Sequence, residues 1–178
     1  GLRAMGGIRW VCETRPDTVT PDLIRAMALA GCIQINFGIE SLSPRVLAAS
    51  GRKAVEKSLL ISLAAEAQRS GVKLFCFFIM GLPDQERADV IEDVNFAFAN
   101  LPGLVQFTCA TPYPATAMRE WAEARNYIVE EDYAKYSGYA PVMRNDKLSA
   151  EDLTELMAFA RKKLQARRGS ERTLRSLA

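Results

Sequence analysis

The 178-residue sequence contains no histidine. That excludes Ser–His and Cys–His nucleophile pairs and removes the commonest zinc ligand. Its four cysteines, Cys12, Cys32, Cys76 and Cys109, are scattered, and no two form a C-x-x-C pair. Such spacing argues against a disulfide framework and for reduced thiols in a cytoplasmic protein. It also lacks the close ligand spacing of iron–sulfur loops. All four fall in or beside expected strands, where a free cysteine behaves as a small buried hydrophobe, so no metal ligand is expected in the chain.

No run is apolar for long enough to span a bilayer, and the opening residues do not read as a signal peptide. Charge is nearly balanced, with 23 basic and 21 acidic side chains and a net +2. That excess is too small for a nucleic-acid surface. Most of it lies at the end, in Arg161, Lys162, Lys163, Arg167, Arg168, Arg172 and Arg175, the pattern of a solvated helix face and tail. A hydrophobic share of 49% against 25% charged fits one globular domain with a core rather than a disordered chain.

Short apolar runs alternate with helical patterns along the chain. Strands are expected over 8–14, 33–39, 73–80 and 104–111. Helices are expected over 17–30, 44–49, 54–70, 86–100 and 115–125, and a last one starts at Ser149. Thr20 is a natural N-cap before Pro21, with Leu23, Ile24, Met27 and Ala28 as the apolar stripe and Gly31 as the stop. Ser149 and Asp152 have capping-box spacing. Residues 126–147 look irregular.

Strand–helix alternation at this spacing implies a parallel sheet with right-handed crossovers. The second strand separates a barrel from an open sheet. Ile33, Ile35, Phe37 and Ile39 point one way, while Gln34, Asn36, Gly38 and Glu40 point the other. Gln106 and Thr108 repeat the polar face on the fourth strand. Burying those amides in a dry layer is costly, whereas a wet, ligand-filled barrel interior satisfies them. The expected class is α/β: part of a TIM-like (β/α) barrel with parallel strands, plus a C-terminal helix.

Chemistry in such folds sits at the C-terminal strand ends. There stand Glu40 followed by Ser41, Gly81 with Leu82 and Pro83, and the stiff Pro112-Tyr113-Pro114 exit. Glu40 reads as a ligand-binding acid. Gly81 serves either close ligand approach or a plain turn, and Tyr113 either a site rim or a rigid loop. Arg15 and Arg52 are candidate anion partners, each equally a surface charge or a partner for Glu13 or Glu40.

Four segments in register carry a resemblance: Ile8–Asp17 (IRWVCETRPD), Gly31–Ser41 (GCIQINFGIES), Phe78–Pro83 (FIMGLP) and Thr111–Thr116 (TPYPAT). Together they resemble radical S-adenosylmethionine (radical SAM) enzymes over residues 8–140. They are most similar to the branch that often carries an N-terminal cobalamin-binding domain, including anaerobic magnesium-protoporphyrin ester cyclases and related methylases. The resemblance implies a partial (β/α)6 barrel. It assigns Glu40 to the ribose or methionine end of SAM and Arg52 to the methionine carboxylate. Phe78, Ile79, Met80 and Gly81 become the adenine platform, with Thr111, Pro112 and Tyr113 lining the same region, and Ser41 and Arg15 join the cofactor site. The implied cofactors are SAM and a [4Fe–4S] cluster, with cobalamin in the full-length protein of some relatives. A reduced cluster cleaves SAM to a 5′-deoxyadenosyl radical that attacks a small organic substrate.

Two departures stand out. Neither C-x3-C-x2-C nor the Gly-Gly-Glu segment occurs in the chain, so cluster ligands lie outside it. Ala115 stands where the resemblance implies Gly, and Asp84-Gln85 where it implies Gly-Glu. The chain also opens with Gly1 in what reads as the end of a helix, and is expected to be an inactive fragment: residues 1–140 the C-terminal part of the barrel, 141–178 an extension with one helix and a basic tail. Two other readings stay open. One is a non-radical barrel enzyme with Glu40 as general base and Arg52 or Lys53 binding an anionic substrate. The other is a non-catalytic small-molecule-binding module. The first strand is expected to leave an unpaired edge that favours self-association.

Overall fold

A computed structural model of the chain describes residues 7–176, with side-chain surroundings as far as residue 168. The helix end expected before the first strand, and the side chains of Arg172 and Arg175, lie outside the described parts.

In order come β1 (Trp10–Thr14), a 3₁₀ turn (Pro16–Thr18), α1 (Pro21–Leu29), β2 (Cys32–Glu40), α2 (Pro44–Ala49), α3 (Lys57–Arg69) and β3 (Lys73–Met80). Then follow α4 (Arg87–Asn100), β4 (Leu104–Cys109), α5 (Ala117–Glu123), a second 3₁₀ turn (Tyr133–Lys135) and α6 (Ala150–Ser176). The strands form one sheet in the order β1-β2-β3-β4, and β1–β2 and β2–β3 pair in parallel. Each strand is laid beside the last without the reversal that marks a doubly wound open sheet. The expected parallel α/β class holds, and β1 is an edge strand among the described residues.

Local chemistry sets most boundaries. Thr20 is extended, because a residue before proline avoids helical angles, and its hydroxyl accepts from the Leu23 N–H at 3.2 Å. The helix expected from residue 17 is therefore split into the 3₁₀ turn and α1. Ser149 and Asp152 form the reciprocal cap of α6, at 2.9 and 3.1 Å. Helix α5 starts two residues later than expected, because Ala115 is left-handed (φ +59°) and Thr116 caps it. A left-handed alanine costs about 1–2 kcal/mol and glycine's extra entropy about 0.5–1 kcal/mol. Ala115→Gly should thus stabilise the protein by up to about 1 kcal/mol, read as a raised urea midpoint.

Contacts divide the chain into two compact units. The first contains residues up to Phe78 with Ala99–Gln106; the second contains Ile79–Phe98 with residues from Phe107 onward. In the first, Ile35, Phe37 and Ile39 are buried while Gln34, Asn36, Gly38 and Glu40 alternate with them half-buried, as the pattern predicts, but Ile33 at the start of the strand is only half-buried. Ile24 of α1 and Leu60, Leu63, Ala64 and Ala67 of α3 complete that core. Strand β3, though apolar at nearly every position, alternates in its burial. Leu74, Cys76, Phe78 and Met80 are buried, and Phe75, Phe77 and Ile79 only half so.

Glu66 of α3 is buried yet charged. Arg69, Arg25 and Ser70 all donate to its carboxylate, at 2.7, 3.2 and 2.8 Å. These bonds hold its pKa down to about 2, from an ordinary 4.5. A depressed acid stabilises the fold above its ordinary pKa and loses that contribution as pH falls through the folded value. Urea midpoints should therefore drop between about pH 4.5 and 2, and Glu66→Gln should flatten that profile.

In the second unit, the Cys109 N–H donates to the Gly138 carbonyl at 2.7 Å, so the segment after α5 pairs with the end of β4. Asn145, 2% exposed, donates to the Leu82 and Gln85 carbonyls at 2.7 and 3.1 Å. Its own carbonyl accepts from the Lys147 and Leu148 N–H groups at 2.8 and 2.7 Å. No helix among the described residues is long and apolar enough to cross a membrane.

Candidate cofactor-binding site

The end of β2 is irregular in a way that re-aims one side chain. Gly38 pairs with Phe77 but Glu40 with Phe78, so Ile39 is an extra residue and the strand bulges. The Ser41 N–H donates to the Ile39 carbonyl at 2.9 Å, closing a γ-turn with Glu40 at its apex. Glu40 has φ +68°, the rare strained form of that turn, which costs a non-glycine residue about 1–2 kcal/mol. Its carboxylate folds back over Gly38, Oε1 lying 3.0 Å from where a Cβ would sit. Glycine there leaves the carboxylate its place.

Arg52, just beyond α2, donates from Nη1 to Glu40 Oε1 at 2.8 Å. Its own N–H is anchored on the Leu47 carbonyl at 2.8 Å. The Glu40 side chain is 13% exposed. Burial pushes its carboxyl pKa up, the Arg52 guanidinium pulls it back, and Glu13 raises it further. The net direction is upward. Arg15 is engaged with Asp17 through two parallel bonds, at 2.9 and 2.7 Å, rather than with Glu13 or Glu40. Arg15, Asp17, Gly38, Arg52 and Lys53 nevertheless line one small crevice. Ser41 is buried, and its hydroxyl accepts from the Ser43 N–H at 3.2 Å, which braces the turn.

The remaining candidates belong to the second unit, apart from Phe78. Phe78 and Met80 are fully buried, so only their backbone is free to meet a ligand; Ile79 is the half-buried side chain of that stretch. Gly81 has φ +87°, and a Cβ on it would press on Leu153 at 3.1 Å. The left-handed φ and this contact are reasons for glycine at the turn that are independent of any ligand's approach. Thr111 donates to the Cys109 carbonyl at 3.0 Å, and the Tyr113 N–H closes a turn over Pro112 onto Thr111 at 3.0 Å. Tyr113 is 52% exposed, with its hydroxyl donating to the Tyr136 carbonyl at 3.2 Å.

Sequence reasoning missed the strain at Glu40 and the enclosure of Gln85, which is completely buried and bonded to the Gly81 and Leu82 N–H groups. The Asp84-Gln85 departure was the visible signal for the second. The cysteines are free and, apart from half-buried Cys12, buried. Burial pushes the Cys12 and Cys109 thiols up to about 11, leaving them neutral at pH 7. Among the described residues no three His, Cys, Asp or Glu side chains gather as a metal site.

Residues 2–97 match the radical SAM superfamily, and the chain belongs to it. It is 34% identical over 153 residues to an uncharacterized methyltransferase of Pyrococcus horikoshii, covering 86% of this chain and 33% of that protein. It is 26% identical over 152 residues to the anaerobic magnesium-protoporphyrin IX monomethyl ester cyclase of Cereibacter sphaeroides, covering 83% of this chain and 24% of that one. The fold is also similar to the radical SAM methyltransferase TsrM of Kitasatospora setae, solved with cobalamin and a [4Fe–4S] cluster bound. There the TM-score is 0.59 at 18% identity, over 84% of this chain and 30% of TsrM. The chain spans a quarter to a third of the curated relatives it matches.

Proposed function

We propose that this chain is the SAM-holding part of a radical SAM enzyme that methylates, oxidises or cyclises a small organic molecule. One observation carries the proposal. Glu40 is kept in a strained turn at the end of β2, with its carboxylate set over Gly38 and countered by Arg52. Strain of this kind persists where the surroundings over-determine it, and it clusters at ligand sites.

In this reading Glu40 accepts hydrogen bonds from the ribose or the methionine ammonium, and Arg52 meets the methionine carboxylate. Without ligand the two satisfy each other; binding exchanges each partner for the ligand's opposite charge. Arg15 adds positive potential to the same crevice, and Ser41 keeps the turn closed. Ile79 offers its half-buried side chain to adenine, the Met80–Gly81 backbone continues that surface, and Thr111, Pro112 and Tyr113 line it. Phe78 contributes through its backbone.

A reduced [4Fe–4S] cluster and SAM supply the radical chemistry, the cluster held by residues outside this chain. The relatives' named activities support methyl transfer or ring closure, and the cobalamin bound to TsrM supports that cofactor for the full-length protein. The open edge of β1 supports self-association, which sedimentation of the chain at rising concentration tests.

The functional test is anaerobic iron–sulfide reconstitution of the full-length protein, followed by reduction in the presence of SAM. Release of 5′-deoxyadenosine is the expected result. No cluster uptake, or turnover that needs neither iron nor SAM and is lost in Glu40→Gln, points to the general-base reading instead.

A further inference from the structure

Gln85 occupies the centre of the turn that leads out of β3. Two left-handed residues, Gly81 (φ +87°) and Asp84 (φ +59°), stand three positions apart in this turn. A segment with two such reversals has several conformations of similar energy unless something selects one. The Gln85 amide makes that selection. Its Oε1 accepts from the Gly81 and Leu82 N–H groups at 2.7 and 3.2 Å. Its Nε2 donates back to the Ile79 carbonyl at 3.2 Å and to Asp93 Oδ2 at 3.4 Å. The side chain is 0% exposed, so none of these bonds can be replaced by water. Asn145 clamps the outer side of the turn through the Leu82 and Gln85 carbonyls, and the Ala110 N–H holds the Met80 carbonyl at 2.7 Å.

Every backbone group from Ile79 to Leu82 named here is therefore tied, and Gln85 ties three of them. Ile79 is the only side chain of the Ile79–Leu82 stretch that is not fully enclosed or glycine. One part of it packs against the cluster of Ala110, Ala122, Tyr127 and Met143, and its backbone carbonyl is the one that Gln85 holds. We infer that Gln85 is a positioning residue for nucleoside binding: its buried amide fixes the Ile79–Gly81 backbone, so that Ile79 and the strand end meet the adenine in one geometry. This rests on the reading of that segment as the adenine platform. A glutamate would keep the acceptance from the two N–H groups while losing the donations to Ile79 and Asp93.

The test uses the full-length protein, reconstituted anaerobically, with SAM and L-methionine as separate probes in equilibrium binding. Gln85→Leu should weaken SAM binding by about tenfold or more while leaving methionine binding unchanged, because displacement of a platform costs only the part of the ligand that rests on it. Gln85→Glu keeps the acceptance from the two N–H groups but turns an oxygen toward the Ile79 carbonyl and Asp93, so it should recover only part of the SAM affinity. Gln85→Asn, which keeps the amide but falls one methylene short, should behave like Gln85→Leu and replaces it should that variant not fold. Arg87→Ala is the control. It removes ion pairs to Asp152 and Glu155 in the same unit without touching the turn, and should leave both affinities at the wild-type value. Equal loss of SAM and methionine binding, or no loss of either, overturns the inference while the SAM-site reading stands. A wild-type protein that binds no SAM overturns both.

Discussion

A Glu40→Gly protein should stay within about 1 kcal/mol of the wild type's stability and should bind SAM about 10–100-fold more weakly. The two effects have separate causes. Glycine occupies φ +68° without a Cβ clash, which recovers about 1–2 kcal/mol and costs back about 0.5–1 kcal/mol of unfolded-chain entropy. The lost ion pair offsets little, because Arg52 is 45% exposed and such pairs contribute about 0–1 kcal/mol. A net change of no more than about 1 kcal/mol follows. Binding loses a charge-assisted hydrogen bond of about 1.5–3 kcal/mol, which sets the fall in affinity. Glu40→Gln separates the causes: it keeps the strain, so it should weaken SAM binding with no gain in stability. Urea unfolding and equilibrium binding read both quantities. A Glu40→Gly protein that is less stable by more than about 1 kcal/mol and fully able to bind would remove the functional meaning of the strained turn.

The second large effect is structural. Asn145→Ala should cost about 2–4 kcal/mol, because it strands the Gln85 carbonyl and the Leu148 N–H at about 1–3 kcal/mol each, while the Leu82 carbonyl keeps the Gln85 N–H at 3.1 Å. The Lys147 N–H adds less, since that residue is exposed and finds water. Asn145→Asp should lose a similar amount, since a carboxylate would then face two carbonyl oxygens. Unfolding followed through Trp121, which packs in the second unit's cluster around Tyr127, gives the measurement. A loss below about 1 kcal/mol in both variants would mean that the turn after β3 is held by something other than this amide.

What the residues revealed in advance depended on whether the physics was local. Thr20 before Pro21, and Ser149 with Asp152, announce helix starts because a cap acts within four residues. The two faces of β2 were legible because Gln34, Asn36 and Glu40 alternate with isoleucines and Phe37. The faces of β3 were not, because Leu74 to Met80 is apolar at every position, and only the fold decides that Phe78 is enclosed while Ile79 is not.

The candidate site divides in the same way. Glu40 and Arg52 were visible as residues, but not the bulge at Ile39, which exists only against the register of β3. Nor was the positive φ of Glu40, a conformation that its residue type disfavours. Gln85 is polar in sequence and fully enclosed in structure, a combination that no periodicity signals.

The central claim is that this chain brings its own side chains to SAM beside an iron–sulfur cluster, and electron paramagnetic resonance of the reduced, full-length reconstituted protein tests it most directly. Adding SAM should change the cluster spectrum of the wild type, and that change should be lost or shifted to much higher SAM concentration in Glu40→Gln and Arg52→Ala. A cluster spectrum indifferent to SAM, or one that responds equally in all three proteins, would contradict it.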